Sequence, residues 1–350
     1  MKKTATIVRE PCKTEKPKLK DIAMTATKMI AKTSLTLLFT LILLSPMLSS
    51  PAGAQNTIAF VRNGDVWLMN PDGTNQRPHV ANIGNASGHM SWSPDGKLIA
   101  FGRRGSVQIR YPAGGGGQHA AYDLFYAFID STNNFWMGIT ETLGAQQPTW
   151  SSDGSKIAFT YDLNATQANA TWPNYQIGIY NVNSRKLDTL DLPKGSKLLN
   201  AMAPSFSPDG TRLACVIGEF EGSSLNPRGL VIINASGVKE SYDQLLEEAK
   251  ANPKATAPSW SPDGKWIAYI SNDLTTQGLF IVKSDLTGVK KIWEPKGAQT
   301  LYSAPSWSPD SKQLVFGTNN KAIYKINVDG TGATLISGPG SDEYPAWSRK

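Results

Sequence analysis

Five stretches of the chain align without gaps, and this repeat decides the fold. They read SWSPDGKLIAF (91–101), TWSSDGSKIAF (149–159), SFSPDGTRLAC (205–215), SWSPDGKWIAY (259–269) and SWSPDSKQLVF (306–316). The central Ser-Pro-Asp-Gly, or its close variant, is typical of a tight turn, because Pro fixes φ, Asp bonds the local backbone and Gly adopts a positive φ. The aromatic and β-branched residues on either side are typical of strands. Each copy is therefore predicted to be a β-hairpin.

Two positions recur in every copy: the aromatic residue before the turn and the Asp within it. Such recurrence indicates what the hairpin itself requires, so we expect structural rather than catalytic or metal-binding roles. The unit is constant and the connections vary, since successive aromatic positions lie 58, 56, 54 and 47 residues apart. The residues at these two positions are Trp92, Asp95, Trp150, Asp153, Phe206, Asp209, Trp260, Asp263, Trp307 and Asp310.

A third strand is predicted after every hairpin, and a weaker fourth strand commonly follows it. The third strands fall at 122–130, 175–182, 228–233, 278–283 and 322–327. Four antiparallel strands in a unit of this length form one blade of a β-propeller.

The two ends of the chain together supply a sixth blade. Residues 56–60 and 65–69 read as second and third strands that lack a first strand. Residues 344–348, with Trp347 at the repeat position, read as a first strand that lacks its continuation. Joining them removes the free sheet edges. We therefore predict an all-β fold, a six-bladed β-propeller over 55–350, whose ring is closed when the C-terminal strand joins the three N-terminal strands.

One stretch departs from the blade pattern. Ser241 and Gln244 form a capping box, which predicts a helix through about residue 251 in place of the fourth strand of blade three. We interpret it as a helix packed on the outside of the propeller, with three apolar residues turned inward, Leu245, Leu246 and Ala249.

The hairpin consensus, with its W-S-P-D-G turn followed by I-A-F, resembles the TolB-type propeller repeat, a WD-like repeat of exported bacterial proteins. The resemblance covers almost the whole chain after residue 55. It implies a protein that works in the cell envelope by binding other proteins, although one fold hosts many functions. TolB proteins carry an α/β domain before the propeller, whereas a leader is predicted here. The chain is therefore expected to be TolB-like, with the propeller only, rather than TolB itself.

The first 54 residues are predicted to be a secretory signal peptide. An apolar run at 35–44 follows Lys28 and Lys32, and small residues lead to an A-x-A end at Ala54. The run is too short to span a bilayer comfortably, although an uncleaved anchor is the alternative reading. The basic region is long, so Met24 or Met29 could replace Met1 as the start. A periplasmic or secreted protein without stable membrane insertion is expected after cleavage.

The charge of the chain is concentrated in this leader. Of the net charge of +7, residues from Gln55 onward contribute little, because they hold 26 basic and 25 acidic residues. A near-neutral body lacks the electrostatic footprint of a nucleic-acid-binding protein. We therefore expect no nucleic-acid partner.

Residues suited to catalysis or metal binding are few. Cys215 stands at the end of a repeat strand and is predicted to be buried and inert. No zinc-type spacing of Cys and His is present, and the only weak candidates for a metal site are His89, His119 and Asp123. Gly114 to Gly117 indicate flexibility rather than a phosphate loop. No cofactor is expected.

Two functions stay open at this point. One is an exported interaction or ligand-binding module for an envelope protein or glycan, and the other is a propeller-type hydrolase or lyase acting on a carbohydrate or lactone. An enzyme needs acid–base groups around the channel, and the strands before the repeat aromatics offer mainly hydroxyls, so binding is preferred.

The binding residues are expected on the face that carries the longest connections. Second-to-third-strand and blade-to-blade connections lie on one face, and irregular loops are predicted there at 103–121, 163–174 and 219–227. Arg and aromatic residues are common interface anchors. The candidates are Arg103, Arg104, Arg110 and Tyr111 in the first loop, with Trp172 and Tyr175 at the end of the second.

Overall fold

The computed structural model describes the chain from residue 56 onward, with short gaps. The described residues are 56–110, 118–129, 136–167, 170, 172–190, 199–221, 224–237, 242–271, 273, 276–338 and 341–350. The predicted leader, Tyr111 and the glycine run 114–117 therefore lie outside the described residues.

Strands account for nearly all the regular structure of these residues. In chain order they are β1 (Ile58–Arg62), β2 (Asp65–Met69), β3 (Arg77–Val80), β4 (Ala86–Trp92), β5 (Leu98–Arg110), β6 (Gln118–Phe128), β7 (Trp136–Gly138), β8 (Ala145–Trp150), β9 (Lys156–Asp162), β10 (Tyr175–Asn181), β11 (Lys186–Leu190), β12 (Leu199–Phe206), β13 (Arg212–Glu221), β14 (Ser224–Asn234), then helix α1 (Tyr242–Lys250), β15 (Thr256–Trp260), β16 (Trp266–Ser271), β17 (Gly278–Lys283), β18 (Lys290–Trp293), β19 (Ser306–Trp307), β20 (Gln313–Gly317), β21 (Ile323–Asn327), β22 (Thr334–Leu335) and β23 (Asp342–Trp347).

Within the described part of the chain, the strands form six antiparallel sheets. Blades one to five follow the chain as β4–β7, β8–β11, β12–β14, β15–β18 and β19–β22, and blade six has the order β23-β1-β2-β3. The predicted six-bladed propeller is confirmed, and so is its closure by a C-terminal strand.

The closing strand is held both by its backbone and by an ion pair. β23 runs antiparallel to β1, with Ile58 opposite Trp347 and Arg62 opposite Asp342. The Arg62 guanidinium donates to both carboxylate oxygens of Asp342, at 2.6 and 2.7 Å. Asp342 is 1% exposed, so this is a largely buried ion pair that links the C-terminal strand to the N-terminal strands.

The repeat aromatics fill the space between neighbouring blades. Trp92 is 1% exposed, and its indole N–H donates to the carbonyl of Ala346 in blade six, at 2.9 Å. Trp307 makes the equivalent bond to the carbonyl of Ser259 in blade four, at 2.9 Å. All the repeat aromatics are buried, namely Trp92, Trp150, Phe206, Trp260, Trp307 and Trp347.

The repeated Asp organises its own turn in each copy. In the first copy, the Ser93 hydroxyl donates to Asp95 at 2.6 Å, the backbone N–H of Lys97 donates to the same carboxylate at 3.0 Å, and the Leu98 N–H donates to Ser93 Oγ at 2.9 Å. The other four turns contain the same Ser-to-Asp bond, between Ser151 and Asp153, Ser207 and Asp209, Ser261 and Asp263, and Ser308 and Asp310.

The carboxylates in these turns should make the folded protein less stable in acid. The hydrogen bond from Ser151 lowers the pKa of Asp153 to about 2, and the bond from Ser207 does the same for Asp209. A folded-state pKa below the unfolded one contributes stability above about pH 4, which is lost as the pH falls towards about 2. The urea midpoint should therefore fall over this range, and less steeply in the double variant Asp153→Asn/Asp209→Asn, whose amides accept the same bonds without titrating. Equal declines in the two proteins would contradict this account.

Helix α1 takes the place of a fourth strand in blade three, as predicted. Leu245 and Ala249 are fully buried, and Glu248 Oε1 accepts the backbone N–H of Ile232 on β14 at 2.9 Å. The helix thus covers an edge strand and satisfies one of its donors. Ser241 of the predicted capping box and the side chain of Leu246 lie outside the described residues.

Two of the predicted loops are largely strands. β5 and β6 pair as far as Arg110 opposite Gln118, and β13 and β14 pair as far as Glu221 opposite Ser224. The prediction of irregular loops at 103–121 and 219–227 was therefore wrong for most of their length. In both segments the backbone groups of the two strands bond to each other, so the hairpin continues where a loop was predicted.

Candidate functional site

The propeller has two faces of different character. The turn face carries the five repeat turns, at 93–96, 151–154, 207–210, 261–264 and 308–311. The loop face carries the 163–174 connection and the far ends of the β5–β6 and β13–β14 hairpins. Since the inner strands run into the repeat turns, each inner strand begins on the loop face.

Three aromatic rings from two blades meet on the loop face. Trp172 stacks with Phe220, with ring centroids 5.9 Å apart and planes at 25°. Tyr175 stacks with the same Phe220 ring at 6.4 Å and 28°. Trp172 and Tyr175 belong to blade two and Phe220 to β13 of blade three, so this aromatic cluster spans a blade boundary.

A buried carboxylate fixes the connection that carries Trp172. Asp162 is 4% exposed, and its Oδ1 accepts the backbone N–H groups of Asn164 and Asn174, at 3.0 and 2.8 Å. The Asn164 amide then donates to the Trp172 carbonyl at 2.8 Å. Asp162 thus holds both Asn164 and Asn174, near the two ends of this connection, and a residue fixed before binding lowers the entropy cost of binding.

A pocket of about 290 Å³ adjoins the cluster, between the β5–β6 hairpin and blade two. Its polar groups are uncharged apart from Asp162, and burial raises the pKa of Tyr175 to about 12. It is lined by Ile109, Ala120, Tyr122, Leu143, Gly144, Gln146, Asp162 and Tyr175.

The predicted binding residues are brought together only in part. Trp172 and Tyr175 share the aromatic cluster, whereas Arg103 and Arg104 lie on β5, where Arg104 is exposed and pairs with Tyr122. The guanidinium of Arg103 lies 5.9 Å from the centre of the Phe125 ring. The side chain of Arg110 and all of Tyr111 lie outside the described residues.

Sequence reasoning missed Phe220, Tyr122 and Gln146. Phe220 sits in the Glu-Phe-Glu run at 219–221, where a loop was predicted. The alternation of polar and apolar residues, which is typical of a continuing strand, was the signal that could have indicated it. Gln146 carries no local signal.

Two of the three candidate metal ligands, His89 and Asp123, have described side chains, and both make other hydrogen bonds. His89 Nε2 accepts the backbone N–H of Ala304 at 3.1 Å, and burial lowers the pKa of this imidazole to about 4. The Asp123 carboxylate accepts three bonds, from Thr140, Thr142 and Leu143. The side chain of His119 is not among those described. Across the described residues, no three His, Cys, Asp or Glu side chains converge.

The central channel contains a cavity of about 110 Å³. Its wall comes from the inner strand of every blade, and these strands bulge just before the repeat aromatic, as between Gln146 and Thr149. Non-glycine residues adopt positive φ at this bulge in four blades, namely Gln147, Ala203, Ala257 and Tyr344. Such bulges re-aim side chains and recur near binding sites.

Comparison with known proteins agrees with this geometry. The family model for the TolB β-propeller domain matches residues 106–350, which is more than half of the chain. The chain belongs to the TolB β-propeller family. Among curated proteins, none matches this sequence significantly.

Solved structures show the same fold at low sequence identity. TolB from Acinetobacter baumannii superposes with a TM-score of 0.58 at 18% identity, covering 84% of this chain and 67% of that one. A putative TolB from Agrobacterium tumefaciens gives 0.57 at 14% identity, covering 83% and 92%. A chain of a nidogen/laminin complex gives 0.60 at 9% identity, covering 83% and 98%. At these identities the likeness to TolB structures shows the fold alone.

Helix α1 is much too short to cross a bilayer, and none of the helices in the described part of the chain meets the length and hydropathy of a membrane span.

Proposed function

We propose that this TolB-family propeller is exported and serves as a binding module for a protein of the cell envelope. The observation that carries the proposal is the Trp172–Phe220–Tyr175 cluster on the loop face. Large aromatic side chains that stay partly exposed on a rigid scaffold are the usual anchors of protein interfaces.

Three further features support this surface. Asp162 holds Asn164 and Asn174, on either side of Trp172, in place before any partner binds. The exposed Arg104 provides a cation on the adjoining hairpin. The apolar run and A-x-A end before residue 55 support export, and the near-neutral charge of the rest of the chain disfavours nucleic acid.

A glycan is the second candidate ligand, and the pocket beside the cluster favours it. The hydroxyls of Tyr122 and Tyr175 and the amide of Gln146 line this pocket and have no hydrogen-bond partner among the described residues. Uncharged donors and acceptors beside aromatic rings suit the hydroxyls of a sugar.

Capture from the envelope tests the proposal. The tagged chain is used to retain partners from the envelope fraction of its source, alongside the variants Trp172→Ala and Phe220→Ala. Loss of a hot-spot anchor weakens binding by about 30-fold or more, so each variant should lose the retained protein. The thermal melt should stay close to wild type, because both rings are partly exposed.

A charge-reversed turn face is the matched control. Lys97→Glu/Lys312→Glu places two acidic residues among the repeat turns, far from the cluster, and should retain the partner. Capture that survives both aromatic substitutions and is lost in this control would assign binding to the turn face. Capture of free oligosaccharides, lost in a Tyr122→Phe/Gln146→Ala variant, would favour the glycan over the protein.

A further inference from the structure

The channel wall carries a ring of hydroxyl groups. The residue directly before the repeat aromatic is Ser or Thr in five blades and Ala346 in blade six. All six of these residues line the channel, and the five hydroxyl residues are Ser91, Thr149, Ser205, Ser259 and Ser306.

These hydroxyls have protons to donate. Ser91 Oγ accepts the backbone N–H of Trp150 at 3.0 Å, and Ser205 and Ser306 accept those of Trp260 and Trp347, each at 2.9 Å. A hydroxyl that accepts such a bond still has one proton to give. Among the described residues, none of the five hydroxyls donates to an acceptor. The ring therefore presents donors to the channel.

A guanidinium lies at the turn-face end of the same channel. Arg349 follows β23 of blade six, and its Nη2 donates to the carbonyl of Trp150 in blade two, at 3.0 Å. This is its one hydrogen bond within the described residues, although a guanidinium offers five N–H groups. The side chain thus reaches past blade one to the channel wall.

The described residues that line the channel include no Asp or Glu. Desolvation lowers the pKa of Arg349 to about 10, which is the effect expected of a cation without a counter-ion. Arg349 is part-buried, and removing an unpaired charge even partly from water is costly, so an anion that neutralised it would stabilise the fold.

We propose that the channel binds one tetrahedral oxyanion of phosphate or sulfate size, between the hydroxyl ring and Arg349. A guanidinium binds such groups through two parallel N–H bonds, and the hydroxyls would donate to the remaining oxygens. The cavity of about 110 Å³ has room for an ion of five heavy atoms. This site lies at the other end of the channel from the loop face and is independent of the proposed partner.

Calorimetric titration of the purified protein tests the site. Sodium sulfate and sodium phosphate are titrated into protein in chloride buffer, at matched ionic strength, with sodium acetate as a planar carboxylate. Wild type should bind the tetrahedral anions and melt at a higher temperature in their presence. Arg349→Met should weaken binding at least about tenfold, the loss expected for one charge-assisted contact. The exposed Arg185→Met is the matched control and should bind as wild type does.

A second variant keeps the test decisive if Arg349→Met fails to fold. The hydroxyls of Thr149 and Ser259 form no hydrogen bond within the described residues. The double variant Thr149→Val/Ser259→Ala should therefore leave the thermal melt in chloride unchanged. It should weaken sulfate binding about threefold or more. Absence of sulfate and phosphate binding to wild type, unchanged affinity in either variant, or binding of acetate alone would overturn the proposal.

Discussion

Replacing Asp342 by alanine is expected to lower the free energy of unfolding by about 3 kcal/mol, the low end of the range for breaking a buried ion pair. Asp342 is 1% exposed and Arg62 is 21% exposed, so the guanidinium left behind would regain only part of its hydration. It would also stay against the rings of Phe60 and Trp67, whose centres lie 5.0 and 4.6 Å away. The measurement is urea unfolding followed by tryptophan fluorescence.

The neighbouring residue supplies the control for this experiment. Glu343 lies on the same strand and forms a longer pair with Lys321, at 3.6 Å, in which the lysine is half exposed. Exposed pairs contribute little, so Glu343→Ala should cost less than about 1 kcal/mol. Equal costs for the two substitutions would show that the Arg62–Asp342 pair does not hold the ring closed.

Replacing Trp92 by alanine is expected to cost about 3–5 kcal/mol, as for other large buried aromatic residues. The side chain is 1% exposed, and it bonds across the junction between blade one and the closing strand. Its loss would leave a cavity at that junction and the carbonyl of Ala346 without its donor. The urea midpoint should fall accordingly.

Phenylalanine at the same position separates packing from hydrogen bonding. Phe206 occupies the equivalent place in blade three and is 4% exposed, so the repeat accepts this ring. Trp92→Phe should therefore cost only about 1–2 kcal/mol, chiefly through the lost bond to Ala346. An alanine variant as stable as the phenylalanine variant would mean that Trp92 does not fill the junction.

The number of blades and the closure of the ring could be predicted from the sequence because the repeat is local. Each copy of the repeat contains its aromatic residue and its turn within eleven consecutive residues. The incomplete blades at 56–69 and 344–348 complete each other. The helix at 242–250 was predictable for the same reason, since its capping and apolar pattern are contained in one segment.

The residues of the site were predictable only where the local sequence indicates their role. Trp172 and Tyr175 were proposed as anchors, but their contact with Phe220 depends on how far the β13–β14 hairpin extends beside blade two. That extension depends on pairing between two strands. The sequence of either strand alone shows only a weak alternation of polar and apolar residues. The bulges with positive φ at Gln147 and Tyr344 were not predictable, because neither residue is glycine.

Site-specific photo-cross-linking tests the central claim most directly, which is that the loop face around Trp172, Phe220 and Tyr175 binds the partner. A photoreactive phenylalanine analogue is placed at position 172 or 220, or at Lys97 or Lys312 on the turn face, and the protein is irradiated in its own envelope fraction. The account predicts a discrete adduct of higher mass from positions 172 and 220 and none from 97 and 312. An adduct from the turn face alone would contradict it.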